Sequence, residues 1–364
     1  MTKQKRRDFL KLAAAGAAAP TILQHLTFAT GDPGHSPDFK QPARADIPTV
    51  ESMRSVIMTH RFGDLFNPPG LTNQWGCAQA AVDVTGIRSI AFPPFAQGEM
   101  NTAALGSGGE LLTGVLYVDG EYFASAKADI DFTWQPDRIV RKSFYKGLEL
   151  KSVTIVPFKQ MSVAVSLTVT NMQKSRRRTE IKLTLQGGVS KSVTPWNAAY
   201  SPGEFDNART IDKERGAVLC KSVRTDAYAM QGAWPHADQV LPSWLIYQFD
   251  LAPLESKTIT FVNALGETSA EATKNYDALV RDFEGAASRT SDEWNAQFVA
   301  AFTPGNDRFS GYLPTLVTED ESVRRLYHSA VMSALFFRRT TPHSVYGTTY
   351  VTLAPRYWET TTFL

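Results

Sequence analysis

Cysteine is scarce: Cys77 and Cys220 are the only two in 364 residues. Their spacing fits neither a Cys-x-x-Cys redox pair nor a zinc knuckle. The six histidines are scattered and form no His-x-x-x-His pair, so no metal or cofactor is expected. An excess of one charge is also lacking. Thirty-eight Lys and Arg face 36 Asp and Glu, for a net charge of +2. No long basic stripe exists, which argues against a nucleic-acid partner. Beyond the N-terminal segment no apolar run reaches the ~18 residues of a membrane span. There is no Gly-x-Ser-x-Gly elbow of a serine hydrolase. The run Gly106-Ser107-Gly108-Gly109-Glu110-Leu111 ends in Leu and lacks a strand–helix context, which excludes a dinucleotide site.

What is present begins with a transport address. Lys5-Arg6-Arg7-Asp8-Phe9-Leu10-Lys11 precedes a weakly apolar, alanine-rich stretch from Leu12 to about Phe28. The twin arginines Arg6 and Arg7 read as a Tat export signal over residues 1–30. The Tat translocon is then a partner during export, and the expected compartment is the bacterial periplasm or the medium. Thr27-Phe28-Ala29 is an imperfect cleavage site, so removal and retention as an anchor both stay open. A Tat substrate folds in a reducing cytoplasm, which favours two buried free thiols over a Cys77–Cys220 disulfide.

Residues 31–49, rich in Pro, Gly, Asp and Ser, read as an extended linker. Residues 50–266 carry strand signals. Asp119-Gly120 between apolar runs predicts a hairpin over Leu111–Ser125. Met161–Thr170 and Glu180–Leu185 alternate strictly, as half-buried strands do. Lys174–Arg178 between them reads as a solvated hairpin tip. Ile139–Phe144, Leu148–Val156, Ser243–Phe249 and Lys257–Val262 add strands. Many short strands without intervening helices predict a mainly β protein, an antiparallel β-sandwich of the super-sandwich type.

The pattern turns helical in residues 267–310. Thr268-Ser-Ala-Glu271 is a capping box, followed by Tyr276, Leu279, Val280 and Phe283 at helical spacing. A second short helix is expected from Ser291, carrying Trp294, Phe298 and Phe302. A third opens at the box Thr318-Glu-Asp-Glu321. It places Val323, Leu326, Tyr327, Ala330, Val331 and Ala334 on one side, with Arg338 and Arg339 at its C-terminal end. A lone amphipathic helix must bury that side on the sandwich or on further helices.

Three stretches carry a resemblance: Val165–Asn171, Tyr312–Tyr327 and Arg356-Tyr357-Trp358-Glu359-Thr360-Thr361-Thr362-Phe363-Leu364. Their order resembles the opening of the six-hairpin (α/α)6-barrel glycosidases, which include processing α-glucosidases, trehalases and rhamnosidases. The resemblance implies that residues 311–364 begin a catalytic barrel and that the chain stops before the family's Trp-Asp pair. It implies glycosidic-bond cleavage by acid/base catalysis in a longer relative, with no catalytic dyad and no hydrolysis here.

Candidate substrate contacts are Arg356, Tyr357, Trp358 and Glu359, where an indole, an acid and a guanidinium could share a sugar. Trp196 and Trp234 lie in Pro- and Gly-rich loops that could also meet a carbohydrate. Asp129 and Asp131 share a strand face and read as solvated. His328 reads as a packed mid-helix residue. The rival readings are a non-catalytic glycan-binding sandwich and, less well supported by the residues, a Tat-exported oxidoreductase.

Overall fold

Alternating segments become strands in the computed structural model, which describes residues 47–61, 70–80, 83–98, 113–191, 207–343 and 347–350, all within the unit Arg44–Leu364. Arg6, Arg7, Trp196, Arg356, Tyr357, Trp358 and Glu359 lie outside the described residues. The strands are β1 Met58–His60, β2 Gly70–Thr72, β3 Cys77–Ala80, β4 Ile87–Phe92, β5 Phe95–Gly98, β6 Leu116–Val118, β7 Glu121–Tyr122, β8 Ile130–Trp134, β9 Arg138–Tyr145 and β10 Leu148–Ile155. They continue with β11 Ser162–Asn171, β12 Arg177–Thr184, β13 Val189–Lys191, β14 Asn207–Asp212, β15 Ala217–Ser222, β16 Tyr228–Trp234, β17 Gln239–Leu241, β18 Trp244–Leu251 and β19 Ser256–Gly266. Helices α1 Ser269–Val280, α2 Phe283–Ala301 and α3 Glu321–Phe337 follow, then the short strands β20 Arg338–Arg339 and β21 Thr349–Tyr350.

The described residues are mainly β, and every strand pair is antiparallel. A nine-stranded sheet runs β1-β8-β9-β10-β11-β19-β16-β15-β14. Two five-stranded sheets run β17-β18-β12-β6-β7 and β13-β5-β4-β3-β2. One apolar core joins all three, with Leu150, Val165 and Phe261 from the large sheet meeting Ile181 and Leu183 from one partner and Ile90 and Phe92 from the other. Burying two apolar faces together is what gives a sandwich its stability.

The hairpin at Asp119-Gly120 is present, with φ of 50° and 77° at the two residues. The stretch Lys174–Arg178 departs from expectation. β11 pairs with β10 and β19, whereas β12 pairs with β6 and β18. The basic cluster therefore lies on a crossing between sheets and is not a hairpin tip. β11 also loses its alternation in its first half, which is buried on both faces. The cause is a third layer: Ala164, Ala217, Met230 and Val262 on the back of the large sheet meet Tyr276, Leu279 and Phe283 of the helices. The approach is close. A Cβ on Gly232 would lie 2.6 Å from both the Tyr276 hydroxyl and the Ala217 Cβ.

The first helix starts as predicted. The Thr268 hydroxyl accepts the Glu271 amide at 3.1 Å, and the Glu271 carboxylate accepts the Glu267 amide at 2.8 Å. The second helix begins at Phe283, well before Ser291. Its first turns carry Gly285, Ala286 and Ala287, which lack a strong period, and the two alanines are buried against the back of the sheet. The third helix is capped by Asp320, not Thr318. The Asp320 carboxylate accepts the amides of Ser322 at 2.8 Å and Val323 at 3.3 Å.

This third helix has two apolar stripes. His328, Val331, Leu335 and Phe336 are buried, the last three against Trp294 and Phe298 of α2 and Met53. Val323, Leu326 and Phe337 face solvent, at 45%, 71% and 39% exposure. His328 is packed, as expected. Arg339 is buried and donates to the Phe336 carbonyl at 2.8 Å, satisfying one of the helix's last acceptors. Cys77 and Cys220 are both buried and form no disulfide.

Asp119 makes one expected pH effect explicit. Burial alone would raise its pKa. The Glu180 amide, the Thr179 hydroxyl and the Arg177 guanidinium outweigh burial and hold it below the usual carboxylate range. The native state therefore prefers the carboxylate. The stabilisation is present above the unfolded value of about 3.9 and is lost as pH falls through the lower folded value. Asp119→Asn should melt below the parent at pH 7, and the gap should close by about pH 2. An equal melting deficit at both pH values contradicts this.

Candidate functional site

After α2, Asn306 folds the chain back on itself. Its amide donates to the carbonyls of Thr303 at 3.0 Å and Gly311 at 3.1 Å, while its side-chain oxygen accepts the amides of Arg308 and Phe309. The Leu313 amide donates to the Ala301 carbonyl at 2.7 Å. The Tyr327 hydroxyl donates to the Pro314 carbonyl at 2.6 Å. These bonds hold residues 308–313 alongside α3. Between them lies a cleft of about 610 Å³, walled by this loop, by Val331, Ala334 and Leu335 of α3, and by Arg338, Thr348 and Tyr350. The size falls within the roughly 300–1,000 Å³ of small-molecule sites.

Three aromatic rings line it: Phe309, Tyr312 and Tyr350. Tyr312 and Tyr350 are exposed, at 58% and 42%. Two guanidiniums join them. Arg308 is gripped by both oxygens of Glu293. Its pKa is raised, first by those hydrogen bonds. Glu293 also accepts from Gln297 at 3.3 Å, and Gln297 in turn accepts from Gln74. Arg338 lies over the Phe309 ring at 4.9 Å. It donates to the Gln74 side chain and to the Arg308 carbonyl, each at 3.4 Å. Burial lowers its pKa, opposed by Tyr350 and reinforced by Arg308. No carboxylate is among the described lining residues.

A second cleft, of about 270 Å³, lies where β16 meets α1. The segment Gln231–His236 was expected to be a loop. The structure places Gln231–Trp234 at the end of β16 and only Pro235 and His236 beyond it. Trp234 is 40% exposed, but its ring is already engaged. The Arg281 guanidinium sits 4.5 Å from its centroid and the His236 ring meets it edge-on at 5.1 Å. Arg215 beside it is held by Asp277 and Asp212.

Of the six substrate-binding residues predicted, only Trp234 falls among the described ones. Asp129 and Asp131 are exposed, paired with Arg61 at 2.8 Å and Thr59 at 2.6 Å. Sequence reading missed Arg308, Phe309, Tyr312, Arg338 and Tyr350. The legible signal was the Arg-Phe-Ser-Gly-Tyr run just past the Pro304-Gly305 break. Among the described residues no group of three or more His, Cys, Asp or Glu could hold a metal, and no helix is long and apolar enough to cross a membrane.

The first cleft can stack an apolar ring face and donate hydrogen bonds around it. Its described lining offers tyrosine hydroxyls but no carboxylate or imidazole for proton transfer. No protein-family model matches the chain, and no curated protein matches it. Among solved structures it is similar to one described as "Putative kojibiose phosphorylase from human microbiome", at 12% identity and a TM-score of 0.45 over 74% of this chain. It is also similar to a bacterial glucoamylase complexed with acarbose, at 11% identity and a TM-score of 0.37 over 78% of this chain. The chain spans 39% and 44% of the lengths of those two proteins.

Proposed function

We propose that the chain is a carbohydrate-active protein that contacts sugar in the cleft between residues 308–313 and α3. The supporting observation is the pairing of exposed aromatic rings, Tyr312 and Tyr350, with an inward guanidinium, Arg338. Sugar rings present C–H faces to aromatics and hydroxyls to such donors. Arg356, Tyr357, Trp358 and Glu359 follow Tyr350 in the chain and are proposed as further contacts.

In finer terms, we read residues from Gly311 onward as the opening of an (α/α)6 domain of six-hairpin glycosidase type, reached through the linker 267–310. The solvent-facing stripe Val323, Leu326 and Phe337 supports this, because an apolar helix face is stabilised by a packed neighbour. Glycoside hydrolysis needs two facing carboxyl groups. The described lining has none, and our reading of the chain is binding without hydrolysis. The Arg6-Arg7 signal assigns it to the periplasm or the medium after Tat export, on sequence grounds.

Titration calorimetry of the full chain against maltooligosaccharides, trehalose and rhamnosides tests the reading. Tyr312→Ala should weaken a bound sugar roughly tenfold, the worth of one stacking contact. A second reading, a non-catalytic glycan-binding sandwich, would use the part of the Trp234 indole left exposed beside Arg281 and His236. It predicts that Trp234→Ala, and not Tyr312→Ala, abolishes binding. Release of reducing sugar by the purified chain would contradict both.

A further inference from the structure

Among the described residues, no carboxylate balances the charge of Arg338. Arg308 has Glu293, and in the other cleft Arg215 has Asp212 and Asp277. Arg338 is half-buried and has no carboxylate partner among the described residues. A guanidinium has five donors. Its two hydrogen bonds, at 3.4 Å each, are long and go to neutral oxygens. Arg308 also lines the cleft, but its charge is met by Glu293, which leaves Arg338 as the cation with spare donors among the described lining residues. A partly desolvated cation with spare donors is a prepared seat for an anion.

The rest of the cleft selects the kind of anion. Its walls are Phe309, Tyr312, Tyr350, Val331 and Leu335, an aromatic and aliphatic surface that favours a ring over a small inorganic ion. A planar carboxylate matches the guanidinium fork in two-point contact. We propose that this cleft takes an acidic sugar, a hexuronate unit whose carboxylate is held by Arg338 while its ring lies on Tyr312 or Tyr350. This specifies the ligand class of the sugar-binding reading and rests on it.

The test is calorimetric titration of the full chain with digalacturonate, with the neutral disaccharide lactose and with inorganic phosphate. The wild type should bind digalacturonate at least roughly tenfold more tightly than lactose, as a charge-assisted contact implies. Phosphate at equal concentration should compete weakly. Raising the salt concentration should narrow the preference. Arg338→Met should lose the preference for digalacturonate over lactose, and Arg338→Lys should keep part of it. Equal affinity for both disaccharides overturns the acidic-sugar assignment and leaves sugar binding standing. Phosphate competing as well as digalacturonate assigns a general oxyanion seat and also overturns it. Binding of neither disaccharide, together with no binding to the neutral panel, overturns the sugar reading itself. The wild-type comparison decides even where Arg338→Met fails to fold.

Discussion

Arg141→Met should cost about 3–5 kcal/mol of unfolding free energy, the loss typical of breaking a buried charge pair from one side. Arg141 and Asp83 are each 1% exposed and lie 4.0 Å apart at their nearest charged atoms. Arg141, on β9, reaches across the core. It donates to the carbonyls of Asp83 at 2.9 Å and Gly86 at 3.1 Å and to the Thr154 hydroxyl at 2.8 Å. Asp83 accepts the amides of Thr85, Gly86 and Leu116. The pair thereby ties the large sheet to the segment leading into β4 and to β6. Burial pulls the pKa of Arg141 down to about 10, against the attraction of Asp83. Burial pushes Asp83 up, against Arg141 and the three amides. Removing the arginine leaves a buried carboxylate to be protonated or hydrated. The double variant Asp83→Leu with Arg141→Met should recover much of the loss, because no charge is then stranded. Urea unfolding measures both. A single-variant loss under about 1 kcal/mol would show that the pair is dispensable.

Trp294→Ala should cost a comparable amount, about 3–5 kcal/mol, and should also loosen α3. Trp294 is fully buried on α2. Its ring stacks on Phe336 at 5.0 Å and meets Phe158 at 5.4 Å and Phe298 at 6.1 Å. Phe336 belongs to α3, so this indole is an apolar tie between that helix and the rest, beside Trp134, which lies 5.4 Å from the Phe336 ring. Its loss should weaken the cleft before it weakens the sandwich. Limited proteolysis should then cut in residues 303–320 while the strands stay protected. Trp294→Phe should cost less, because the indole N–H has no hydrogen-bond partner to abandon. Unchanged proteolysis in Trp294→Ala would place the docking of α3 elsewhere.

The strands β9, β10 and β12, and the second half of β11, were legible because much of one face is wet, so buried and more exposed residues alternate along them. The strands β14, β15 and β16 were not. Ala217-Val-Leu-Cys-Lys-Ser222 and Tyr228-Ala-Met-Gln-Gly-Ala-Trp234 are short and built largely from small residues. β16 is nearly all buried, with the sandwich core on one face and α1 on the other, and a strand covered on both faces shows no period of two. The start of α2 was hidden by Gly285 and its alanines, which serve close packing more than helix propensity. The cap of α3 moved from Thr318 to Asp320 because both are good caps, and only the backbone decides between them.

The site was less legible than the fold. Exposed tryptophans attract attention in a sequence, yet Trp234 has its ring taken by Arg281. Arg338 read as a helix-dipole partner because it ends an amphipathic run. Its place in the cleft depends on Phe309 from a loop and Gln74 from the β2–β3 turn. Such contacts between distant parts of the chain leave no spacing to read.

A crystal structure of the full chain soaked with digalacturonate would weigh most heavily on the sugar-binding cleft. The structure described here predicts a sugar ring against Tyr312 or Tyr350, with carboxylate oxygens about 2.7–2.9 Å from the Arg338 guanidinium. A ring ordered only at Trp234, or the cleft filled by the chain's own residues with Arg338 paired to one of its carboxylates, would contradict it.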